Sequence, residues 1–75
     1  MKVAVVASTG LATVAYDDAA GILQPEFRSG AAYRYFDVPV EIQEGLLRAV
    51  SKGRYFNEQI RKHFRRLRVA TAGKA

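Results

Sequence analysis

The fold of this chain is decided by residues 22–36, ILQPEFRSGAAYRYF. Strand-forming residues lie on both sides of Ser29-Gly30, a polar connection whose glycine favours a tight primed turn. These residues predict a β-hairpin with strands at 22–28 and 31–36. A two-residue loop fixes the register tightly, and the predicted pairs are Arg28 with Ala31, Glu26 with Tyr33, and Gln24 with Tyr35.

The predicted register assigns each side chain of the hairpin to a face, because opposed residues of an antiparallel pair point the same way. The polar face is predicted to carry Gln24, Glu26, Arg28, Tyr33 and Tyr35. The core face is predicted to carry Leu23, Pro25, Phe27, Ala32, Arg34 and Phe36. Pro25 has no N–H for the ladder, so it favours an edge strand or a bulge, and a bulge would exchange the two faces.

Further strands are predicted upstream of the hairpin. Residues 11–16 alternate larger and smaller side chains, and the turn formers at 17–21 connect them to the hairpin. The apolar run at 3–7 is about half as long as the apolar region of a signal sequence, so a first strand is the better interpretation. These segments predict an antiparallel meander of three to four strands.

After Phe36 the apolar period changes from that of a strand to that of a helix. Pro39 suits a first helical turn, and apolar residues then recur at fourfold spacing in Ile42, Leu46 and Val50. Ser51 is a candidate N-cap for a second helix at 54–64, whose apolar stripe consists of Phe56, Ile60 and Phe64. The predicted fold is α+β, with the meander followed by two helices packed on one face, in a single domain at 1–69 and a flexible tail at 70–75.

Charge divides the chain into two unequal parts. Nine of the twelve basic side chains follow residue 47, against one of the seven acidic side chains, and the net charge is +5. Like charges lie at fourfold spacing on the predicted second helix and its extension, as in Arg61 with Arg65 and Lys62 with Arg66, and they destabilise an isolated helix. A cationic face that lowers the stability of the helix indicates a binding surface for an anionic partner. The alternative is a charged face that only contacts solvent.

Catalytic, metal and cofactor sites have little support in the sequence. His63 is the only histidine and cysteine is absent, so no nucleophilic or metal-binding constellation can be completed. Neither a phosphate-cradling glycine loop nor an apolar stretch of about 20 residues occurs in the sequence. We therefore expect a non-enzymatic, cytoplasmic protein without a cofactor, a metal ion or a membrane span.

Tyr33 and Tyr35 are candidate binding residues of a different kind. Two exposed tyrosines on one strand face can stack successive bases of a single-stranded nucleic acid. The alternative is a half-buried aromatic ladder, because tyrosine has a high strand propensity and packs well across strands.

Two runs of residues carry a family resemblance. Tyr33-Arg34-Tyr35-Phe36-Asp37-Val38-Pro39, followed by Ser51-Lys52-Gly53-Arg54-Tyr55-Phe56-Asn57, resembles the KTSC domain. That family takes its name from the C-terminus of some lysyl-tRNA synthetases and also includes small free-standing bacterial and phage proteins. Pro25 and Val50 depart from the family pattern, which has a β-branched residue and commonly a proline at these positions. The resemblance implies RNA binding through the synthetase context, with Tyr33, Tyr35, Lys52 and Arg54 as contacts.

The lead prediction is a small module that binds RNA or another single-stranded nucleic acid. Tyr33 and Tyr35 would stack bases, and the phosphates would be bound by Arg54, Arg61, Lys62, Arg65 and Arg66. The alternative is a phage or bacterial accessory protein that binds an acidic surface of a larger protein machine, such as host RNA polymerase, and modulates it. The expected oligomeric state is a monomer, or a weak dimer formed by pairing of strand edges.

Overall fold

The computed structural model describes residues 1–69. Five strands form one antiparallel sheet in the order β1-β2-β3-β4-β5, and their bounds are Lys2–Val5, Leu11–Asp17, Ile22–Phe27, Ala32–Tyr35 and Arg66–Val69. Two helices, α1 (Val40–Arg48) and α2 (Lys52–Gln59), lie between β4 and β5 in the chain. The predicted α+β fold is confirmed, with one more strand than predicted, while the predicted tail at 70–75 lies outside the described residues.

The hydrophobic core lies between one face of the sheet and the two helices. Strand residues Leu11 and Leu23 and helix residue Leu46 are 0% exposed, as is Ile60 at the end of α2. Both helices therefore cover the same face of the sheet. Neither helix found within residues 1–69 has the length and apolar character that a membrane span requires.

The β3–β4 hairpin closes with the pair Phe27 and Ala31, which leaves a loop of three residues at 28–30, so the predicted register of this hairpin is wrong by one position. The Phe27 N–H donates to the Ala31 oxygen at 2.8 Å, and the Gly30 N–H donates to the Phe27 oxygen at 2.9 Å. Gly30 has a φ of 97°, which is the left-handed conformation that a three-residue hairpin loop places before its second strand. Leu23 consequently pairs with Tyr35, and Glu26 pairs with Ala32.

The shift in register exchanges the faces of the second hairpin strand. Tyr33 and Tyr35, predicted on the polar face, lie on the core face with Leu23, because opposed residues share a face. Ala32 and Arg34, predicted on the core face, lie on the outer face of the sheet. The Nε and Nη2 atoms of Arg34 donate there to Oε1 of Gln24 at 3.1 and 2.9 Å. The core positions predicted for Leu23 and Pro25 are confirmed.

Pro25 lies in the central strand β3, so the predicted edge position is wrong. The irregularity of the ladder is in the neighbouring strand, between Leu11 and Thr13 of β2. On the other side of β3 the paired positions are Leu23 and Glu26, and the intervening Gln24 and Pro25 have no paired partner in β4. A gap at this point suits a proline, because it offers no N–H to the next strand.

The second helix is shorter than predicted. Ser51 is its N-cap, as expected, since its Oγ accepts the Arg54 N–H at 3.4 Å. The helix ends at Gln59 rather than at residue 64, and Ile60 leaves the helical conformation. The chain then turns at 60–63 and enters β5, where the Phe36 N–H donates to the Arg65 oxygen at 3.0 Å. A strand here pairs the exposed edge of β4, whereas a longer helix would have placed the like charges Arg61 and Arg65 one turn apart.

Candidate functional site

A pocket of about 160 Å³ opens where the end of α2 meets β4 and β5. Its walls are aromatic and its rim is polar. The aromatic side chains are Phe27, Tyr33, Tyr35 and Phe56, and the polar side chains are Asn57, Arg61 and Arg66. The sequence places these residues far apart, and the pairing of β4 with β5 brings them together.

The aromatic walls form one connected cluster. The ring centre of Phe56 lies 5.4 Å from that of Phe27 and 5.5 Å from that of Tyr35, at interplanar angles of 76° and 86°. Phe27 in turn contacts Tyr33 edge to face, with ring centres 6.2 Å apart. Each such pair adds about 0.5–1.5 kcal/mol beyond the burial of its area, so the walls are held in a defined geometry.

Tyr35 lines this pocket and is the more deeply buried of its two tyrosines. The side chain is only 2% exposed, yet its hydroxyl has no hydrogen-bond partner within residues 1–69, unlike those of Tyr16 and Tyr55. In that part of the chain no fully buried side-chain oxygen or nitrogen lacks a partner, so the Tyr35 hydroxyl must retain contact with the pocket. Burial raises the pKa of Tyr35 above its usual 10.0, while the charges of Arg66 and Arg61 oppose that rise. The hydroxyl is therefore neutral near pH 7 and can both donate and accept a hydrogen bond.

The two arginines of β5 and the arginine just before it lie over aromatic rings. The guanidinium carbons of Arg66 and Arg68 are 5.7 and 5.8 Å from the centre of the Tyr33 ring, and that of Arg65 is 5.3 Å from the centre of the Phe36 ring. Cation–π contacts of this kind orient a guanidinium group without neutralising its charge. At the other side of the pocket Arg61 donates through Nη1 to Oδ1 of Asn57 at 3.3 Å.

These cations have no carboxylate partners in the described part of the chain. The only ion pair within residues 1–69 joins Arg54 to Glu58, at 3.2 Å on the exposed surface of α2. Four of the six acidic side chains of the first half, at positions 17, 18, 41 and 44, instead lie near Tyr16, whose pKa is raised first by burial and then by Asp18 and Glu41. The charge asymmetry of the sequence therefore persists in the folded molecule, with the cations beside β5 and the carboxylates near β2 and α1.

The structure brings together half of the eight predicted site residues. Tyr33, Tyr35, Arg61 and Arg66 line the pocket. Lys62 and Arg65 are exposed in the segment between α2 and β5. Lys52 and Arg54 lie at the beginning of α2, against Ser8 and Thr9, in a separate depression. There Lys52 Nζ donates to the Ala49 oxygen at 2.8 Å.

Two predictions about these residues need correction. The basic side chains were expected on the outer face of one helix, but they are divided between α2, the turn that follows it, and β5. Tyr35 was expected to stack a base on an exposed ring, but its ring is buried. Tyr33 is half-buried, so of the two tyrosines only Tyr33 has a partly accessible ring. Tyr35 can therefore contact a ligand through its hydroxyl edge and not through its face.

Sequence reasoning missed four residues of the site. Phe27 and Phe56 were assigned to the core without a binding role, and Arg68 only to a cationic helix face. Asn57 had no signal beyond its position next to Phe56 in the second family run. The alternation in Arg66-Leu67-Arg68-Val69 is the period of a strand, and it was the available sign of β5.

No metal centre is found in the described part of the chain. Residues 1–69 contain no group of three or more His, Cys, Asp or Glu side chains placed to hold a metal ion. His63 is exposed in the turn before β5, where its backbone N–H donates to the Ile60 oxygen at 3.1 Å.

Comparisons with known proteins extend over most of the chain. The family described as the KTSC domain matches residues 7–64, a range that includes most of the pocket but ends before Arg66. An uncharacterized protein of Stutzerimonas stutzeri is 43% identical over 70 residues, which cover 92% of this chain and 99% of that protein. A lysine–tRNA ligase of Trichormus variabilis is 42% identical over 50 residues, covering 67% of this chain and 9% of the ligase.

A solved structure has nearly the same fold. The crystal structure of a KTSC domain protein from Yersinia pestis superposes with a TM-score of 0.88 at 29% sequence identity. The superposition covers 92% of this chain and 97% of that one. The similarity therefore includes the helices as well as the sheet.

Proposed function

The chain belongs to the KTSC domain family, and from this premise we propose that it is a small non-enzymatic module that binds single-stranded RNA. Two lysine–tRNA ligases contain a segment that is similar to this chain and makes up 9% of their length, and their name gives tRNA as a substrate. The proposal assigns RNA binding to this segment in the present chain.

The observation that carries the proposal is a set of unneutralised cations beside an aromatic pocket. Arg61 and Arg66 stand at the rim of the pocket, and Lys62, Arg65 and Arg68 are exposed next to it. Cations bind the phosphates of a strand, and aromatic groups contact its bases. Single-stranded RNA offers both groups at once, whereas bases inside a duplex are not available to a pocket.

The salt dependence of RNA affinity tests this proposal. We expect a labelled RNA strand of about twelve nucleotides to bind at low salt and to dissociate as salt rises, in a fluorescence anisotropy titration. For a single strand the slope of log K against log salt changes by roughly 0.7 for each phosphate contact. Arg61→Gln with Arg66→Gln should therefore reduce both the affinity and the slope.

A second double variant, with the same change in net charge, provides the matched control. Lys2→Gln with Arg48→Gln removes two positive charges from the exposed surface away from the pocket, so it lowers the net charge equally. It should reduce affinity much less than the pocket variant. Absence of binding at low salt, or equal losses in the two double variants, would contradict the proposal.

An acidic protein surface is the alternative partner for the same cations. Such a surface would use the charges of Arg61, Lys62 and Arg65, whereas RNA would use both these charges and the aromatic walls, so the pocket favours RNA. Capture of partners from nuclease-treated and untreated lysate separates the two cases. An RNA-dependent partner is lost after nuclease treatment, and a direct protein partner is retained.

A further inference from the structure

We propose that the pocket holds one unstacked pyrimidine base of the bound strand, an inference that rests on the RNA-binding function proposed above. The pocket would then supply base selectivity, while the surrounding cations supply most of the affinity. Three features of the pocket lead to this assignment: its size, its polar groups, and the position of the arginines at its rim.

The size of the pocket fits a single ring. Its volume is about 160 Å³, and an apolar protein cavity of about 150 Å³ accommodates one benzene molecule. A pyrimidine base has one six-membered ring, so it fits a space of this size. The pocket is open to solvent, so the fused second ring of a purine would project from the opening instead of lying against the aromatic walls, which oppose expansion.

The polar groups of the pocket suit the edge of a pyrimidine. Tyr35 lines the pocket, and its hydroxyl, which has no protein partner among residues 1–69 and is not fully buried, can donate to a base carbonyl or accept from a ring N–H. Asn57 accepts from Arg61 through Oδ1, which leaves its amide NH₂ available to donate. Uracil and cytosine both present a carbonyl between ring nitrogens, and these two groups can satisfy it beside the aromatic walls of the pocket.

The rim of the pocket carries cationic side chains that can bind the phosphates of the nucleotide. Arg61 at the end of α2 and Arg66 on β5 lie on two different elements beside the opening. A base inserted between them would leave its own phosphate and that of a neighbouring nucleotide at the surface, within reach of long cationic side chains. Single-stranded RNA is recognised in this general way, by splayed bases on aromatic side chains with their edges hydrogen-bonded.

The larger depressions of the surface do not offer the same chemistry. One is lined by Asp17, Asp18 and Glu44, whose charges repel a phosphate strand. The other, beside Lys52 and Arg54, has no aromatic side chain in its lining. Among the described residues, the pocket beside β5 is therefore the better site for a base.

Binding of strands that carry a single base tests the inference. The probes are RNA strands of about twelve nucleotides that are abasic at every position except a central one, which carries uracil, cytosine, adenine or guanine. All four probes have the same phosphates and cannot stack upon themselves, so differences in affinity report the base. We expect the uracil and cytosine probes to bind at least about fivefold more tightly than the purine probes.

Variants of two residues that line the pocket test whether the pocket causes the preference for pyrimidines. Tyr35→Phe removes the hydroxyl and keeps the buried ring, and Asn57→Ala removes the amide from an exposed position. Each should reduce the preference for pyrimidines, measured as the ratio of the affinities for the uracil and guanine probes, to less than about twofold. Tyr55→Phe is the matched control, because it also removes one tyrosine hydroxyl but outside the pocket, and it should keep the preference.

The outcomes distinguish this inference from the proposed function. Failure of ordinary single-stranded RNA to bind at low salt would overturn both. Equal binding of the four single-base probes, or a preference for purines, would overturn the pyrimidine pocket and leave RNA binding in place. A pyrimidine preference that persists in Tyr35→Phe and in Asn57→Ala would also overturn it, because the selectivity would then come from another surface.

Discussion

Gly45 lies where α1 is in close contact with the Tyr55 side chain of α2. A β-carbon at this position would overlap the side chain of Tyr55 on α2. Tyr55 is not free to withdraw, since its hydroxyl donates to the Ile42 oxygen at 3.1 Å. Glycine at this position costs helix propensity, roughly 1 kcal/mol relative to alanine, and in return it allows α2 to lie close against α1. The position of α2 in turn determines where Phe56 and Asn57 meet the pocket.

Replacement of Gly45 therefore has an effect opposite to that expected from helix propensity. Gly45→Ala should lower the free energy of unfolding by about 1–2 kcal/mol, because the steric cost of overpacking exceeds the gain in propensity. Urea unfolding followed by circular dichroism measures the change. Gly53→Ala is the control, since a β-carbon there meets no atom within 4 Å, and it should leave stability unchanged or slightly higher. A Gly45→Ala protein as stable as wild type would contradict this explanation.

Strand β5 connects the fold to the candidate site. It pairs with β4 along Tyr35–Arg66, Arg34–Leu67 and Tyr33–Arg68, which places arginines beside the two tyrosines. Leu67 on the same strand points to the outer face and is 59% exposed. The edge strand is therefore retained by its backbone hydrogen bonds more than by burial of its side chains.

A proline in β5 should separate the strand from the sheet. The Phe36 N–H donates to the Arg65 oxygen, and hydrogen-bonded pairs alternate along an antiparallel ladder, so the Leu67 N–H faces Arg34. Leu67→Pro removes that donor and should lower the free energy of unfolding by at least about 1 kcal/mol. Because it also displaces Arg66, it should weaken RNA binding at low salt.

Leu67→Ala separates the backbone effect from the loss of the side chain. It keeps the N–H and removes only an exposed group, so its stability and RNA affinity should remain near those of wild type. Equal behaviour of the two variants would mean that β5 is not held by its ladder.

The elements that depend on local pattern were predictable from sequence, and β5 was not. The alternation in β2 and the fourfold spacing of Ile42 and Leu46 extend over enough residues to predict a strand and a helix. Residues 66–69 form a strand of only four residues, and the preceding Ile60 and Phe64 fit a helical stripe. The strand forms because β4 offers an unpaired edge, which is a property of the tertiary structure.

The candidate site was only partly predictable for a related reason. Arg61 and Arg66 followed from the charge asymmetry, and Tyr33 and Tyr35 from their spacing. The exposure of the tyrosines depended on the loop between β3 and β4, where one additional residue exchanges the faces of a strand. Ser29-Gly30 is compatible with both a two-residue and a three-residue loop, so the sequence alone left that choice open.

The stability of the whole molecule varies with pH in the alkaline range, because two of its tyrosines are buried. The hydroxyl of Tyr16 donates to the Val38 oxygen at 2.7 Å, and that of Tyr35 faces the pocket. Burial is the main cause that raises the pKa of each tyrosine above its usual value of 10.0. The folded state therefore favours the protonated form. This contribution to stability is complete below about pH 10 and is lost as the pH rises through the folded-state pKa.

The free energy of unfolding should consequently fall above about pH 10, and the two tyrosines should be the source of much of that fall. Tyr16→Phe should cost about 1 kcal/mol near neutral pH, because it leaves the Val38 carbonyl without its partner. Tyr35→Phe should cost less, since its hydroxyl has no partner within residues 1–69. The double variant should show a shallower alkaline decline in urea unfolding at a series of pH values. A decline as steep as that of wild type would exclude these two groups as its cause.

The place of β5 after both helices has a consequence for the order of assembly. Strands β1 to β4 are joined by short turns and pair between neighbours, so they can form while later residues are still being synthesised. The arginines beside Tyr33 are delivered by the last described strand. A chain that folds in this order pairs strands β1 to β4 first, and the candidate site is complete only when β5 adds its arginines along the open edge of β4.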